Sequence, residues 1–464
     1  MPGLGRFPDS IPAIAQAGES ANLTNSMDLR HLSSRRFTAV STSEASSRRP
    51  QRTQLSFGLI AAAPAIFASF TWNTAYLPGG IGMDLRLVGL PVLLVEIAFI
   101  LLAFREGWRP LQQIAALSRA VRLLLALLIG TALASAIFAA PDRGGALLWT
   151  YLSMVHLMFG FTAAWRIAGA SEIALSLVWP WITAGCCAYA IILAVYVMRP
   201  HPVGFDWEYF GLGVSNIRQV GFYCEVGAMA AIGCSVLAQG TKTLIYAAAA
   251  TSMFALACWS GSRGALLAAF VTLISACLFV RRFRTFRAGL ISIVSLVLGA
   301  GTSLLLPSPE LVFGVPRMLS SIESPGLDDL TSGRFRMWEG AWHAFLQRPF
   351  LGYGEGQFGH VVPQVQAIYL QPHNLVLQLL FQWGLIGTVI VGFLAILAAR
   401  HIHSTGLADE TRALPSILVL VGLSAYSFYD GSLFHAYPSM MFAFALASAL
   451  TLGSAQNRIQ MVTG

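Results

Sequence analysis

Past residue 54 the chain alternates long apolar runs with short polar breaks. The runs lie at 55–72, 86–104, 121–140, 145–165, 173–198, 220–238, 243–259, 264–280, 288–306, 374–399, 414–428 and 433–452. Crossing a bilayer core as a helix takes roughly 20 mostly apolar residues, so the pattern predicts about twelve transmembrane helices. The runs at 243–259 and 414–428 are among the short ones. Pro64, Pro91 and Pro180 fall inside runs, where neighbouring helices can re-satisfy the freed backbone groups.

Residues 1–54 are rich in Ser, Arg and Thr and lack apolar periodicity, the mark of a disordered tail. Their apolar run begins too far in for a simple secretory signal. Ser34-Arg35-Arg36-Phe37 is similar to a twin-arginine export signal, but export of a folded protein does not suit a chain with many further spans. A basic cytoplasmic tail is the simpler reading. The resulting organisation is 1–54 tail, 55–306 helices one to nine, 307–372 a long loop, 373–452 helices ten to twelve, and 453–464 a second tail.

Composition supports the same class. Apolar residues make up 56% and charged residues only 11%, against about 25% charged in soluble domains. That excludes an ordinary soluble enzyme. The net charge of +8 would suit nucleic acid, but its placement follows the membrane. With the amino terminus inside, 20 of the 29 cationic residues fall on inner segments, and Arg281-Arg282-Phe283-Arg284 forms a local anchor. Inner loops of membrane proteins carry this excess, so both termini are expected in the cytoplasm and the long loop in the periplasm. The cysteines Cys186, Cys187, Cys224, Cys234, Cys258 and Cys277 all lie in apolar stretches with no CxxC pair. They read as small hydrophobes, not as a zinc or disulfide framework.

The loop 307–372 far exceeds the 2–8 residues usual between bundle helices. Thr331-Ser332 can cap a helix, Phe335, Trp338, Trp342 and Phe345 then share one face, and Pro349 ends it. This predicts an amphipathic helix at the interface, where Trp is favoured; a helix that simply covers the bundle has the same pattern. Gly352, Gly354, Gly356 and Gly359 follow it and fit no phosphate-loop pattern, so they read as a flexible hinge. Gln371-Pro372-His373-Asn374 then opens the tenth span, with proline suited to a first helical turn. His373 and Asn374 are thereby placed near a helix amino terminus, which favours an anion. Asn374, Gln378 and Gln382 recur every four residues and should face the bundle interior or a wet cavity.

Arginine on the outer face runs against the inside bias. Arg263, in a tight outer turn, and Arg334, at the start of the amphipathic helix, are candidates for anion binding, because guanidinium grips phosphate with paired donors. Arg218 and Arg336 are lesser candidates; a salt bridge from Arg334 to Asp328, Asp329 or Glu339 is the alternative. Glu96, Glu225 and His156 fall within spans and need partners, and they keep a proton-coupled transporter in play. Asp430 and His435, at the last outer turn, are close enough to join an external site.

These residues resemble a known family. His373-Asn374 followed by Gly384-Leu385-Ile386-Gly387, the upstream Ser332-Gly333-Arg334 with Trp338, Pro349 with Gly352-Tyr353-Gly354, and Arg263 to Leu267 are together similar to bacterial O-antigen ligases and related lipid-linked glycan polymerases. The specific motifs cover about 263–387, and the order of segments covers roughly 55–452. The resemblance implies an all-α, GT-C-like integral membrane glycosyltransferase of the bacterial inner membrane, active on the periplasmic side without cofactor or metal. Its donor would be a glycan on undecaprenyl pyrophosphate and its acceptor a lipid A–core sugar. It implies His373, Asn374 and Asp430 as catalytic residues and Arg263, Arg334 and Arg218 as pyrophosphate ligands. A repeat-unit polymerase or a protein O-oligosaccharyltransferase would share the donor side. A transporter or flippase should instead show inverted repeats and a midplane site, and the halves here show no convincing repeat.

Overall fold

The computed structural model describes residues 49–72, 88–208, 211–307, 314, 333–362, 371–404 and 411–463. The expected tail up to residue 48, the twin-arginine-like stretch, Asp328, Asp329, Thr331 and Ser332 lie outside the described residues. The chain divides at Thr42, and every described residue belongs to the unit Ser43–Gly464.

The described residues are helical with short connections. In chain order the helices are α1 (Arg49–Thr71), α2 (Leu90–Arg105), α3 (Pro110–Ala115), α4 (Arg119–Ala134, continued by a π turn Ser135–Ala139), α5 (Arg143–Ala168), α6 (Glu172–Met198), α7 (Val220–Leu237), α8 (Thr241–Trp259), α9 (Arg263–Phe279) and α10 (Phe286–Ser303). Then come α11 (Arg334–Gln347), α12 (Phe358–Val361), α13 (Leu375–Ser404), α14 (Leu414–Asp430) and α15 (Ala436–Thr463). Polar residues between the apolar runs start several of them. The side chains of Ser118, Asp142, Ser171 and Thr285 accept from the amides of Val121, Gly145, Ala174 and Ala288, each satisfying an otherwise orphaned helix donor.

Every expected apolar run overlaps a helix. Seven helical stretches are long and apolar enough to cross a membrane: Arg119–Ala139, Arg143–Ala168, Glu172–Met198, Ile217–Leu237, Thr241–Trp259, Phe286–Ser303 and Leu375–Ser404. Shorter apolar helices are Leu55–Thr71, Arg263–Phe279, Leu414–Asp430 and Ala436–Leu452, and α2 covers 16 residues. Length and composition thus account for seven of the twelve expected crossings. Pro91 stands in the first turn of α2 and interrupts nothing, whereas Pro64 and Pro180 do lie inside α1 and α6. The chain continues as helix past 452, to Thr463, where a tail was expected.

Helix α7 forms the centre, with α6, α8 and α14 packed around it. It is lined with Gly and Ala and is buried almost throughout. Small residues let neighbouring backbones approach closely, which drives packing where lipid removes the hydrophobic incentive. The outside is apolar as well. Phe270, Ile274 and Leu278 on α9, Ile293 and Val297 on α10, and Val389, Phe393 and Ile396 on α13 are all exposed at helical spacing. A few carboxylates are instead buried: Glu96 and Glu225 are almost fully enclosed. Apolar outside and polar inside is the arrangement of a multi-pass membrane protein.

Candidate functional site

One end of the bundle collects the amino termini of α7, α9, α11 and α13 and the carboxy terminus of α14. Each amino terminus contributes about half a positive charge through the helix dipole. Three of these helices also begin at or just after an arginine. Arg218 lies in the short turn Ile217–Gln219 before α7, while Arg263 and Arg334 are the first residues of α9 and α11. Arg263 is near enough to feel the charges of both Arg334 and Arg218. Neither Ser262 nor Gly333, the residues ahead of α9 and α11, caps its helix with a side chain. Dipoles and guanidinium groups therefore share one electropositive end of the bundle, hereafter the hollow.

Asp430 closes that hollow from the end of α14. Its Oδ1 lies 3.2 Å from His373 Nδ1 and its Oδ2 lies 3.1 Å from Arg334 Nη2. The Arg334 partner is thus Asp430; the Asp328 and Asp329 alternatives lie outside the described residues. Arg218 is paired too, donating to Glu208 Oε1 at 2.8 Å. Helix α9 packs tightly on α14: a Cβ on Gly264 would come within 3.2 Å of Asp430 Oδ2. Behind it the Ser262 and Tyr426 hydroxyls meet at 2.8 Å.

The segment bearing His373 differs from the expected first turn. Helix α13 begins at Leu375, so Pro372 and His373 precede it. His373 has φ +54°, the only positive value at a non-glycine among the described residues. Asn374 is the cap: its Oδ1 accepts from the Leu377 amide at 3.0 Å, and its Nδ2 donates to the Phe428 carbonyl at 2.7 Å. The amide therefore fixes the turn that presents His373 and does not touch the imidazole. The turn is docked further by Gln371, whose Nε2 donates to His435 Nε2 at 3.1 Å. Burial and the neighbouring His373 push His435 down to about 4, so at neutral pH its ring is uncharged and can accept that bond. Gln378 and Gln382 are buried, as the polar stripe required.

The glycine-rich stretch, expected as a hinge, is packed against α13. It forms a clamp on a break in α13 at Gly384, which has φ +62° and lies so close to the Phe350 backbone that a Cβ would approach within 2.3 Å. The amphipathic helix α11 is also more divided than its spacing suggested. Phe335, Trp342 and Leu346 are exposed, whereas Phe345 is buried with Met337, Ala341 and Ala344. A third, polar face borders a cavity of about 640 Å³ lined by Arg336, Glu339, His343 and Gln347 over Gly340 and Val362. Among the described residues, no group of three or more His, Cys, Asp or Glu side chains is arranged to hold a metal ion.

The comparisons with known proteins bear on the same stretch. Residues 247–392 match the Wzy_C family model, described as O-Antigen ligase. The chain carries an O-antigen ligase-like domain. Within that domain lie Arg263, Arg334, His373 and Asn374, while Arg218 and Asp430 reach the hollow from outside it. No curated protein matches the chain. The O-antigen ligase family works on lipid-linked glycans, and its members are glycosyltransferase-like ligases and polymerases. Sequence reasoning missed Glu208 and the bond from Gln371 to His435. Glu208 was detectable as an opposite charge ten residues before Arg218 in one loop, but nothing local pairs Gln371 with His435.

Proposed function

We propose that this O-antigen ligase-like chain transfers a glycan from undecaprenyl pyrophosphate to a lipid A–core sugar at the periplasmic face of the inner membrane. The observation that carries the reading is Asp430 bridging His373 and Arg334 at 3.2 and 3.1 Å. A carboxylate on Nδ1 holds the imidazole tautomer with its proton there, leaving Nε2 free to accept one. The same carboxylate ties that base to an arginine of the electropositive hollow, where an expelled diphosphate would be stabilised.

The acceptor hydroxyl gives its proton to His373 Nε2 while its oxygen bonds to the anomeric carbon. The bond from that carbon to the phosphate oxygen breaks, and undecaprenyl pyrophosphate leaves with the electron pair. Asp430 stabilises the imidazolium that forms. Asn374 acts by holding the His373 turn. Arg263, Arg334 and Arg218 meet the pyrophosphate charge, assisted by the amino-terminal dipoles of α9 and α11. General base catalysis supplies about 10²–10⁴-fold, so alignment and charge stabilisation carry the remainder. In this reading twelve helices cross the membrane, both termini are cytoplasmic, and the end of the bundle that carries Asp430 is periplasmic.

The test is deletion of the gene followed by analysis of surface glycans and the lipid-linked pool. Naked lipid A–core with long chains accumulating on the carrier supports the ligase. Core bearing single repeats makes the protein a polymerase, and unchanged glycans with altered solute uptake would sink both. Complementation with H373Q should fail to restore transfer. If it restores normal transfer while R263A does not, the base assignment is wrong and the donor site stands.

A further inference from the structure

Helix α13 is broken at Gly384, and the loop 349–357 repairs it. In an unbroken helix the Leu385 and Ile386 amides would bond the Phe381 and Gln382 carbonyls. Here the Leu385 amide donates to the Pro349 carbonyl at 2.7 Å and the Ile386 amide to the Phe350 carbonyl at 3.4 Å. The freed Phe381 and Gln382 carbonyls accept from the amides of Tyr353 at 2.8 Å and Gly354 at 2.9 Å. Ser135 adds bonds to the Leu351 and Gln382 carbonyls at 2.6 and 2.7 Å. The loop thus substitutes for two helical hydrogen bonds on both sides of the break.

One buried side chain fastens the loop. Glu355 is 4% exposed, and its Oε2 accepts from the Ser153 hydroxyl of α5 at 2.5 Å. The Thr150 hydroxyl of α5 and the Trp383 indole, next to the break, lie near the same carboxyl without completing a hydrogen bond to it, and its Oε1 has no partner. His156 approaches it electrostatically, with its own Nδ1 already 2.9 Å from Glu96 Oε1 of α2. Asp142, at the start of α5, is engaged with the Gly145 amide.

We propose that Glu355 is a positioning residue for the transfer, its carboxyl fastening the loop that clamps the break in α13 onto α5 and so holding His373 against Asp430. The proposal rests on His373 being the base. The lever is geometric: at about 1.5 Å per residue, the break lies roughly 16 Å from His373, so a tilt of about 10° there moves the imidazole by ~3 Å. A misplacement of about 1 Å can cost around 100-fold in rate. Burial raises the Glu355 carboxyl to about 7, against the bonds and the His156 charge that lower it. It is therefore protonated below neutrality and becomes a buried anion above it, where the imidazole that could answer it is taken by Glu96. Ionisation loosens the clamp; stability from this group is full below about pH 4.5, its ordinary value, and declines as the pH rises to about 7.

The test compares the full-length protein with E355Q and E355A, purified and supplied with lipid-linked donor and lipid A–core acceptor, across pH 5.5 to 9. The parent should lose kcat as the pH rises past about 7, and E355Q should match it at low pH and keep that rate above. E355A should lose about 10–100-fold in kcat at every pH, with KM for the donor changed less than about threefold. Amide exchange, corrected for intrinsic rate, reads the clamp without any activity: Tyr353, Gly354, Leu385 and Ile386 should lose protection with rising pH in the parent and retain it in E355Q. The same alkaline fall and the same loss of protection in E355Q would overturn the proposal, as would parental kcat in E355A. Absence of transfer in every sample would count against the proposed function, while the exchange data would still decide on Glu355.

Discussion

Asp430 touches an imidazole and a guanidinium with its two oxygens, so replacing its charge should have two effects. Asp430→Asn keeps the shape but withdraws the charge that stabilises a protonated His373, and it releases Arg334 from its ion pair. Turnover should fall by about 10²–10⁴-fold with the thermal midpoint of the purified protein moving only a few degrees. Steady-state kinetics together with a melting curve checks this; a rate within threefold of the parent would remove Asp430 from the chemistry. His373, Arg263 and Arg334 were legible in the sequence because each stands at an element boundary beside a recognisable motif. The pairing of Asp430 with His373 was implied by the family resemblance, whereas its ion pair with Arg334, 96 positions away, was not legible, because contact over that separation depends on helix packing. Asn374 shows the opposite error: a side chain beside a candidate base reads as its partner until the helix cap claims both ends of the amide.

Helices were the most legible elements, because each apolar run is interrupted by residues that cap or bend a helix. The break in α13 was not legible. Leu375–Ser404 reads as one continuous run, and the glycines that look like a hinge are the ones that let the loop come within bonding distance of the open backbone. Gly384 combines a positive φ with a contact a side chain cannot meet. Gly384→Ala should therefore destabilise the protein by about 2 kcal/mol or more. A clear drop in the thermal midpoint, with transfer reduced along with it, is the expected result; an unchanged midpoint would mean the break is not formed by that glycine.

At the scale of the whole molecule, the low charge content and apolar exterior settle the membrane class, while sidedness rests on the arginine distribution. Val203, fully exposed in the connection after α6, and Leu111, 79% exposed on α3, should lie on opposite sides. In a background lacking the native cysteines, V203C and E339C should react with an impermeant maleimide on spheroplasts, and L111C only after the membrane is opened. The reverse pattern would invert the topology and move the hollow to the cytoplasm.

The joint in α13 also divides the labour between protein and lipid. The stretch after Gly384 shows Val389, Phe393 and Ile396 to its surroundings, so it follows the bilayer when the membrane thickens or thins. The short segment before it is fastened by protein contacts, Gln382 to Ser135 beyond α4 and Asn374 to Phe428 of α14. A change in bilayer thickness should therefore load the joint at Gly384 and its clamp before it reaches the Asp430–His373 contact.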